Sequence, residues 1–576
     1  MLDKITSKHF FIFLILTCSS IVLIHPFNAY FISTISGVLY SPLNLESSFI
    51  PYDELVIYGA RVSEAFEGNL LLADSYTLEH QHKTYYLAPF FAEHIAAISL
   101  FLANAQPILA NYLLDLVFPA LIFVLVYKIF ILLSTPAFFA SFFSFLIIVF
   151  FDQLSVVTTS ASMTQAINAF PNAQHLLTRS ILAISLSAGL FALLRTLIFH
   201  HQPATKNFLL AILSNGILIY FNIFIFIFIT LFNAASLFFI PNLSIKAFWK
   251  KLAVGAMLFF AVTFFYFYNQ LSLAQNIMYD EILGRAGLTE IRAISMLSIV
   301  YIFLLILLFA FRKNIDSFPL MIVACTLISL IIAKNIQIIL GFNPQIFHYD
   351  RDIGRWVFLI GFMAIIFKYL QDFILKPSKT ICLLIGIILF TGVAITQLNF
   401  TKLNHPQYVL DKSLHDVFNF LNAHTKKNTV VAADTTITKW LPAFTHNNTL
   451  IAISPASMVN DQEAISRFVL AQRMLGFSDE AILAMHSYDL YVDLFHFHSL
   501  YVMSSIPMEN LSLKKEAALD RFYNALQHYL QTDSKNTHSV DYILFTRKSA
   551  SSNICCRIIF ENDQFILTTS TISEND

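Results

Sequence analysis

The stretch SSFIPYDELVIYGARVSEAFEGNLLLADSYTLEHQHKTYYLAPFF, residues 47–91, carries Asp53, Glu54, Glu64, Glu67, Asp74, Glu79, His80, His82 and Lys83 directly after an apolar run. Carboxylates in such a setting take protons, histidines ligate metals, and a lysine holds a phosphate. Asp53 and Glu54 open a segment with helical spacing of apolar side chains at Leu55, Tyr58, Val62, Ala65 and Phe66. That spacing predicts an amphipathic helix lying flat in the membrane interface. Asp53 at its start is either a helix N-cap or a general base aimed into a cavity.

A second group lies in GFNPQIFHYDRDIGR, with His348, Asp350, Arg351, Asp352 and Arg355. Just before it, Lys334 interrupts the apolar run LIIAKNIQIILGF. Lys334 sits about six residues from the end of that run, roughly 9 Å deep at about 1.5 Å per residue. A lysine there costs up to about 2.5–3.5 kcal/mol at the bilayer centre, so it either faces a cavity or partner or snorkels to the interface. Lys334, Arg351 and Arg355 are the candidates for a phosphate clamp, with Arg61 and Lys83 behind them. Arg351, flanked by Asp350 and Asp352, has the alternative of pairing with them. The histidines and aspartates (His80, His82, His94, His348, Asp350, Asp352) are also candidates for a divalent metal, with His348, Asp350 and Asp352 foremost. Solvated loop histidines are the commoner outcome of such spacing. Asp115, in YLLDLVFPAL, is a further charge within an apolar run.

These groups must be held by a membrane scaffold. The chain has 576 residues, 57% hydrophobic and only 12% charged, with 60 Phe. Its mean hydropathy is +0.68. Soluble domains are about 25% charged, and no water-soluble fold could bury this much apolar surface. The net charge of -1 gives no electrostatic case for nucleic acid. Five cysteines are too few for a disulfide framework. Asn399 and Asn447 stand in sequons, which matter only in a glycosylating host.

A span needs about 20 apolar residues. Eleven runs qualify: 9–25, 107–133, 137–151, 179–199, 207–222, 224–240, 252–270, 293–311, 318–340, 355–374 and 380–397. The first follows Lys4 and Lys8 and is expected to be an uncleaved helix, with a cleaved signal peptide as the alternative. With the N-terminus inside, the inner loops hold Lys128; Arg195 and Lys206; Lys246, Lys250 and Lys251; Arg312 and Lys313; and Lys368, Lys376 and Lys379. Every inner loop is then basic, as the positive-inside rule requires. That register needs 207–240 to be two helices, broken near Tyr220–Asn222. It also puts the loop 26–106 and the tail 398–576 outside. The tail reads as an α/β domain. NTVVAAD, NTLIAIS, VDYILFTR, RIIFEN and QFILTT are its strands, and LHDVFNFLNAH, DQEAISRFVLAQRML and LKKEAALDRFYNALQHYL its helices. The expected fold is therefore a polytopic α-helical membrane domain of about 11 transmembrane helices (1–397) with a C-terminal extracytoplasmic α/β domain (398–576).

The pattern DE-x-x-x-Y-x-A-R-x-x-E-x-x-x-G-N-L-L, then Y-x-L-E-H-Q-H-K and Y-Y-L-A-P, resembles the first outer loop of GT-C glycosyltransferases. The likeness is to the branch of the lipid A aminoarabinose transferases and protein O-mannosyltransferases. Segments of the tail, HTKKNTVVAADTTITKWLPAFTHNNTLIAIS and VDYILFTR, also resemble endings in that superfamily. The resemblance implies a sugar transferred from a polyprenyl-phosphate donor to an envelope glycan, lipid or protein acceptor on the outer face of a bacterial inner membrane. It implies Asp53 and Glu54 as catalytic carboxylates and Glu79 and Lys83 as substrate-binding residues. The lipid-phosphate leaving group calls for nearby positive charge. A non-catalytic scaffold of an envelope pathway and a secondary transporter are the alternatives. The transporter would place its charges near the midplane and show internal repeats, and no internal repeat is visible here.

Overall fold

A computed structural model describes residues 8–24, 34, 39–40, 58–81, 89–151, 180–239, 245–275, 289–290, 294–295, 297–310, 312, 317–340, 342–343, 348–373, 379–404, 409–453, 457–495, 509–532, 538–548 and 556–570. The chain is a predominantly helical integral membrane protein with a small C-terminal sheet. Its principal helices are α1 (Lys8–Ile24), α2 (Ala60–Phe66), α3 (Phe91–Leu102), α4 (Pro107–Leu132), α5 (Ala137–Val149), α6 (Ser180–His201), α7 (Thr205–Ile217), α8 (Ile223–Ser236), α9 (Ile245–Ala274), α10 (Leu297–Ala310), α11 (Ser317–Ala333), α12 (Arg355–Phe373) and α13 (Lys379–Asn404).

Each of the eleven apolar runs coincides with one of these helices. Four helical stretches are long and apolar enough to cross a membrane by themselves: Tyr112–Leu132, Ile181–His201, Ala253–Ala274 and Ser317–Ile339. Large apolar side chains face outward on α9, α10 and α13, with Met257, Phe260, Ile306 and Ile388 all exposed. A helix in water would turn polar residues that way, so this surface is built for lipid.

The run 207–240 is two helices, as the charge pattern requires. After Ile217 the chain tightens through a single 3₁₀ turn, and Asn222 then caps α8. Its side-chain oxygen accepts from the backbone N–H groups of Phe224 and Ile225 at 2.9 and 3.1 Å. Without water to satisfy freed backbone groups, a side-chain cap is what permits a break there.

The tail holds a five-stranded sheet. In chain order the strands of the molecule are β1 (Leu39–Tyr40), β2 (Thr289–Glu290), β3 (Phe342–Asn343), β4 (Val409–Leu410), β5 (Val430–Ala432), β6 (Asn448–Thr449), β7 (Tyr542–Thr546), β8 (Ile558–Glu561) and β9 (Phe565–Thr569). The sheet order is β6-β5-β7-β9-β8. β5 runs parallel to β6 and β7, while β9 is antiparallel to β7 and β8. Asn562 turns the last hairpin, its carboxamide oxygen accepting from Gln564 and Phe565. Helices α14 (Lys412–His424), α15 (Asp461–Met474) and α16 (Glu509–Thr532) accompany the sheet. They match the three amphipathic segments read from the sequence.

The first long loop is built into this tail. β1 pairs antiparallel with β4, Leu39 opposite Leu410. Thr449 donates its backbone N–H to the Tyr76 carbonyl at 2.8 Å, and the Tyr76 hydroxyl donates to the Lys439 carbonyl at 3.0 Å. Ala60 and Tyr76 share a buried cluster with Val430, Leu450, Phe468 and Ile543 of the tail. The amphipathic helix expected around residues 55–66 is observed as α2, which packs against α3 on one side and the Leu441–Phe444 turn of the tail on the other. It is wedged between protein surfaces, because Arg61 and Glu64 on it find buried partners there.

Candidate functional site

Three helices converge where charge meets the apolar bundle. α11 ends at Ala333, and the chain turns through Lys334, Asn335 and Ile336. Asn335 holds this turn against the start of α10: its side chain donates to Ser298 Oγ at 2.6 Å and accepts from the Ser295 N–H at 3.0 Å. α12 is preceded by a single π-helical turn, Asp350–Gly354, a geometry that recurs at functional sites because it re-aims side chains. Gly354 permits it: a Cβ there would sit 2.7 Å from both the Tyr349 carbonyl oxygen and Leu330 Cδ2.

Lys334 and Asp350, both almost fully buried, form an ion pair. Asp350 also accepts from the Tyr301 hydroxyl of α10 at 2.8 Å, and Lys334 lies 5.8 Å from the centre of that ring. Snorkelling is thus not the state of Lys334; it has a partner, which offsets the cost of an apolar setting.

One residue away, Arg351 Nε donates to Asp352 Oδ1 at 2.7 Å, and its Nη2 approaches His348 Nδ1 at 2.7 Å. The same Nδ1 lies 3.1 Å from Asp352 Oδ2, so the ring sits between the arginine and the carboxylate. The ring stacks on Phe224 of α8 at 4.5 Å. Arg355 completes the group. It lies within electrostatic reach of Tyr301, and its Nε is buried with no hydrogen-bond partner among the described residues. A buried guanidinium donor without an acceptor costs about 1–3 kcal/mol and suits a ligand anion.

The same end of the bundle carries the first-loop carboxylates. Phe91 stacks on Tyr220 at 5.1 Å and meets Phe221 edge-on, and Phe224, three residues further along, stacks on His348. This aromatic path links α3 to the Asp350–Gly354 turn. Arg61 Nε donates to Glu93 Oε1 at 2.8 Å, with both side chains buried, and its Nη2 donates to the Pro89 carbonyl at 2.7 Å. Glu64 accepts from Ser75 Oγ at 2.9 Å. Burial pushes its carboxyl up to about 8, against the opposing pull of the Ser75 bond and the Arg61 charge.

The remaining sequence candidates fall as follows. Asp53, Glu54, Lys83 and His82 lie outside the described residues. Glu79 bonds Arg467 of α15 at 2.9 Å and His538 at 3.3 Å. The His538 bond, helped by Arg467, holds its carboxyl down at about 2 against the opposing effect of burial. His80 contacts Glu463 at 3.0 Å, and His94 Nδ1 contacts the Phe90 carbonyl at 2.9 Å. Asp115 is buried on α4. The metal candidates do not converge: Asp350 is engaged by Lys334 and Tyr301, Asp352 by Arg351 and His348. Among the described residues, no three His, Cys, Asp or Glu side chains are grouped to hold a metal ion.

Sequence reasoning missed Tyr301, Glu93 and Arg467. Tyr301 is the one phenol in LSIVYIFLL, and Arg467 lies almost 390 residues from Glu79. Neither carries a local signal of its partner.

No family model matches the sequence, and no curated protein matches it. The structure is similar to the crystal structure of ArnT from Cupriavidus metallidurans in the apo state, with a TM-score of 0.45 and 11% sequence identity, covering 89% of this chain and 93% of that chain. It is similar also to ArnT from Cupriavidus metallidurans bound to undecaprenyl phosphate, with a TM-score of 0.48 and 10% identity, covering 98% of each chain.

Proposed function

We propose that this chain is a membrane glycosyltransferase that moves a sugar from a polyprenyl-phosphate donor to an envelope glycan, lipid or protein acceptor. The observation that carries this is the cationic group of Lys334, Arg351 and Arg355 at one end of an apolar bundle, where the buried Arg355 Nε has no hydrogen-bond partner among the described residues. A lipid phosphate needs its tails in hydrocarbon and its charge against fixed donors, and such a junction supplies both. The resemblance of residues 53–89 to the first outer loop of GT-C transferases supports the same reaction.

In this reading the acceptor oxygen or nitrogen attacks the anomeric carbon as the bond to the phosphate oxygen breaks. Asp53, with Glu54 beside it, takes the acceptor proton. Lys334, Arg351 and Arg355 stabilise the phosphate as it leaves. The site faces the periplasm of a bacterial inner membrane, with the N-terminus cytoplasmic and residues 398–576 forming the periplasmic domain. Glu79 and Arg61 act by holding the loop in place, and Lys83 binds substrate.

The test is a sugar-transfer assay on a deletion strain complemented with wild type, Asp53→Asn and Arg355→Gln at equal membrane levels. Loss of the glycan in the deletion and in both variants is expected. Full transfer by both variants would remove these residues from the mechanism. An unchanged glycan in the deletion strain would point instead to a non-catalytic scaffold.

A further inference from the structure

We infer that Asp350 is a positioning residue for product release: it is an internal counter-anion to Lys334 that keeps the site from retaining its own product. This rests on the sugar-transfer reading above.

The argument is one of charge. In the transfer, the acceptor's lone pair forms the new bond to the anomeric carbon. The electron pair of the broken carbon–oxygen bond stays on the phosphate oxygen, and the acceptor's proton goes to a carboxylate. The donor phosphate is a diester with one negative charge. The product is a phosphate monoester, whose second ionisation near pH 6 gives it about -1.5 to -2 at neutral pH. Every turnover therefore leaves a more strongly charged anion where the substrate lay. A site of unpaired cations would bind product better than donor and stall.

The site is balanced against this. The ammonium of Lys334 and the guanidiniums of Arg351 and Arg355 face two carboxylates, Asp350 and Asp352. Among these five groups one net positive charge remains, which matches a diester and falls short of a fully ionised monoester. Asp350 sets the balance at the most buried cation. It is bound to Lys334, supported from α10 by the Tyr301 hydroxyl, and held in the π-helical turn by the close approach at Gly354. Low dielectric around the pair makes its charge count for more than a surface aspartate would.

The experiment measures binding of two lipids to the purified full-length chain in nanodiscs: undecaprenyl phosphate, a monoester, and undecaprenyl methyl phosphate, a diester. Asp350→Asn is expected to tighten monoester binding on the order of tenfold while changing diester binding much less. Tyr301→Phe, which leaves the ion pair but withdraws its support, is expected to shift the same ratio in the same direction by a few-fold. It keeps the test open if Asp350→Asn fails to fold. A purely structural ion pair would weaken both lipids together on disruption. An unchanged monoester-to-diester ratio in a folded Asp350→Asn, or in Tyr301→Phe where the first variant does not fold, overturns the inference. Failure of the wild type to bind either lipid would instead overturn the sugar-transfer reading.

Discussion

Asp74, in the first long loop, accepts hydrogen bonds from the backbone N–H of Met458 at 2.7 Å and from Ser457 Oγ at 2.8 Å, across 384 and 383 residues of chain. The same fully buried carboxylate accepts from the N–H groups of Tyr76 and Thr77 and from Thr77 Oγ1. One ionised side chain thus closes a turn and fastens that turn to the tail.

Replacing it should be severe. Asp74→Ala strands several buried donors and is expected to destabilise the fold by about 3–5 kcal/mol, given about 1.5–3 kcal/mol for a single bond to a charged group and imperfect additivity. Asp74→Asn should rescue little, since its NH₂ group would face N–H and O–H donors. Thermal unfolding in detergent reads this directly. A loss below about 1 kcal/mol for Asp74→Ala would show that the loop is not fastened here.

Glu64 predicts a pH dependence. Its carboxyl is raised to about 8 in the folded chain, first by burial, whereas the unfolded value is near 4.3. The folded state therefore keeps a proton that the unfolded state releases. Its contribution to stability falls as pH rises from about 4.3 to about 8, and no further change follows above that. Glu64→Gln removes the loss. The variant should match wild type near pH 4 and become progressively more stable than it toward pH 8. Parallel curves of melting temperature against pH would refute the assignment.

Arg467 and Arg473 lie on the same helix and offer a contrast. The Arg467 side chain is 1% exposed and bonds Glu463 and Glu79, whereas the Arg473–Asp479 pair is open to water on both sides. Arg467→Gln should release the first loop and speed proteolysis between residues 58 and 81, because two carboxylates lose a buried counter-charge. Arg473→Gln should change stability by less than about 1 kcal/mol. In wild type the Glu79 contribution is present above its ordinary range near pH 4.3 and is lost as pH falls toward about 2. Equal protease sensitivity of the two variants would contradict the latch.

Glycine spacing tests the turn beneath Asp350. A methyl at Gly354 meets a backbone carbonyl at 2.7 Å, whereas one at Gly392 on α13 meets nothing within 4 Å. Gly354→Ala is expected to displace the Asp350–Gly354 turn and, under the proposed function, to abolish binding of a polyprenyl phosphate. Gly392→Ala should be neutral or slightly stabilising, by up to about 1 kcal/mol. Retained lipid binding in Gly354→Ala would show that the turn tolerates the shift.

Much of the architecture is carried by local pattern. Apolar runs mark each of the eleven helices, since hydrocarbon-facing segments cannot hide charges. The break at Asn222 is foreshadowed by the alternation of basic loops. The tail strands around Val431 and Leu544 are short apolar runs bounded by polar turns, and α14–α16 show helical spacing. All of these depend on residues within a turn or two of one another.

The pairings belong to another class. The sequence by itself placed Lys334 near the end of one apolar run and Asp350, Arg351 and Arg355 just before the next, because a charge is least costly near the rim of a membrane bundle. It also showed that a long acidic loop would precede α4. Only the tertiary structure decided that Lys334 meets Asp350 and Tyr301, that Arg61 meets Glu93, and that Asp74 and Glu79 spend their charge on the tail. Partner choice among buried charges is settled by which helices pack side by side, and an ion pair spanning hundreds of residues leaves no periodic trace in the chain.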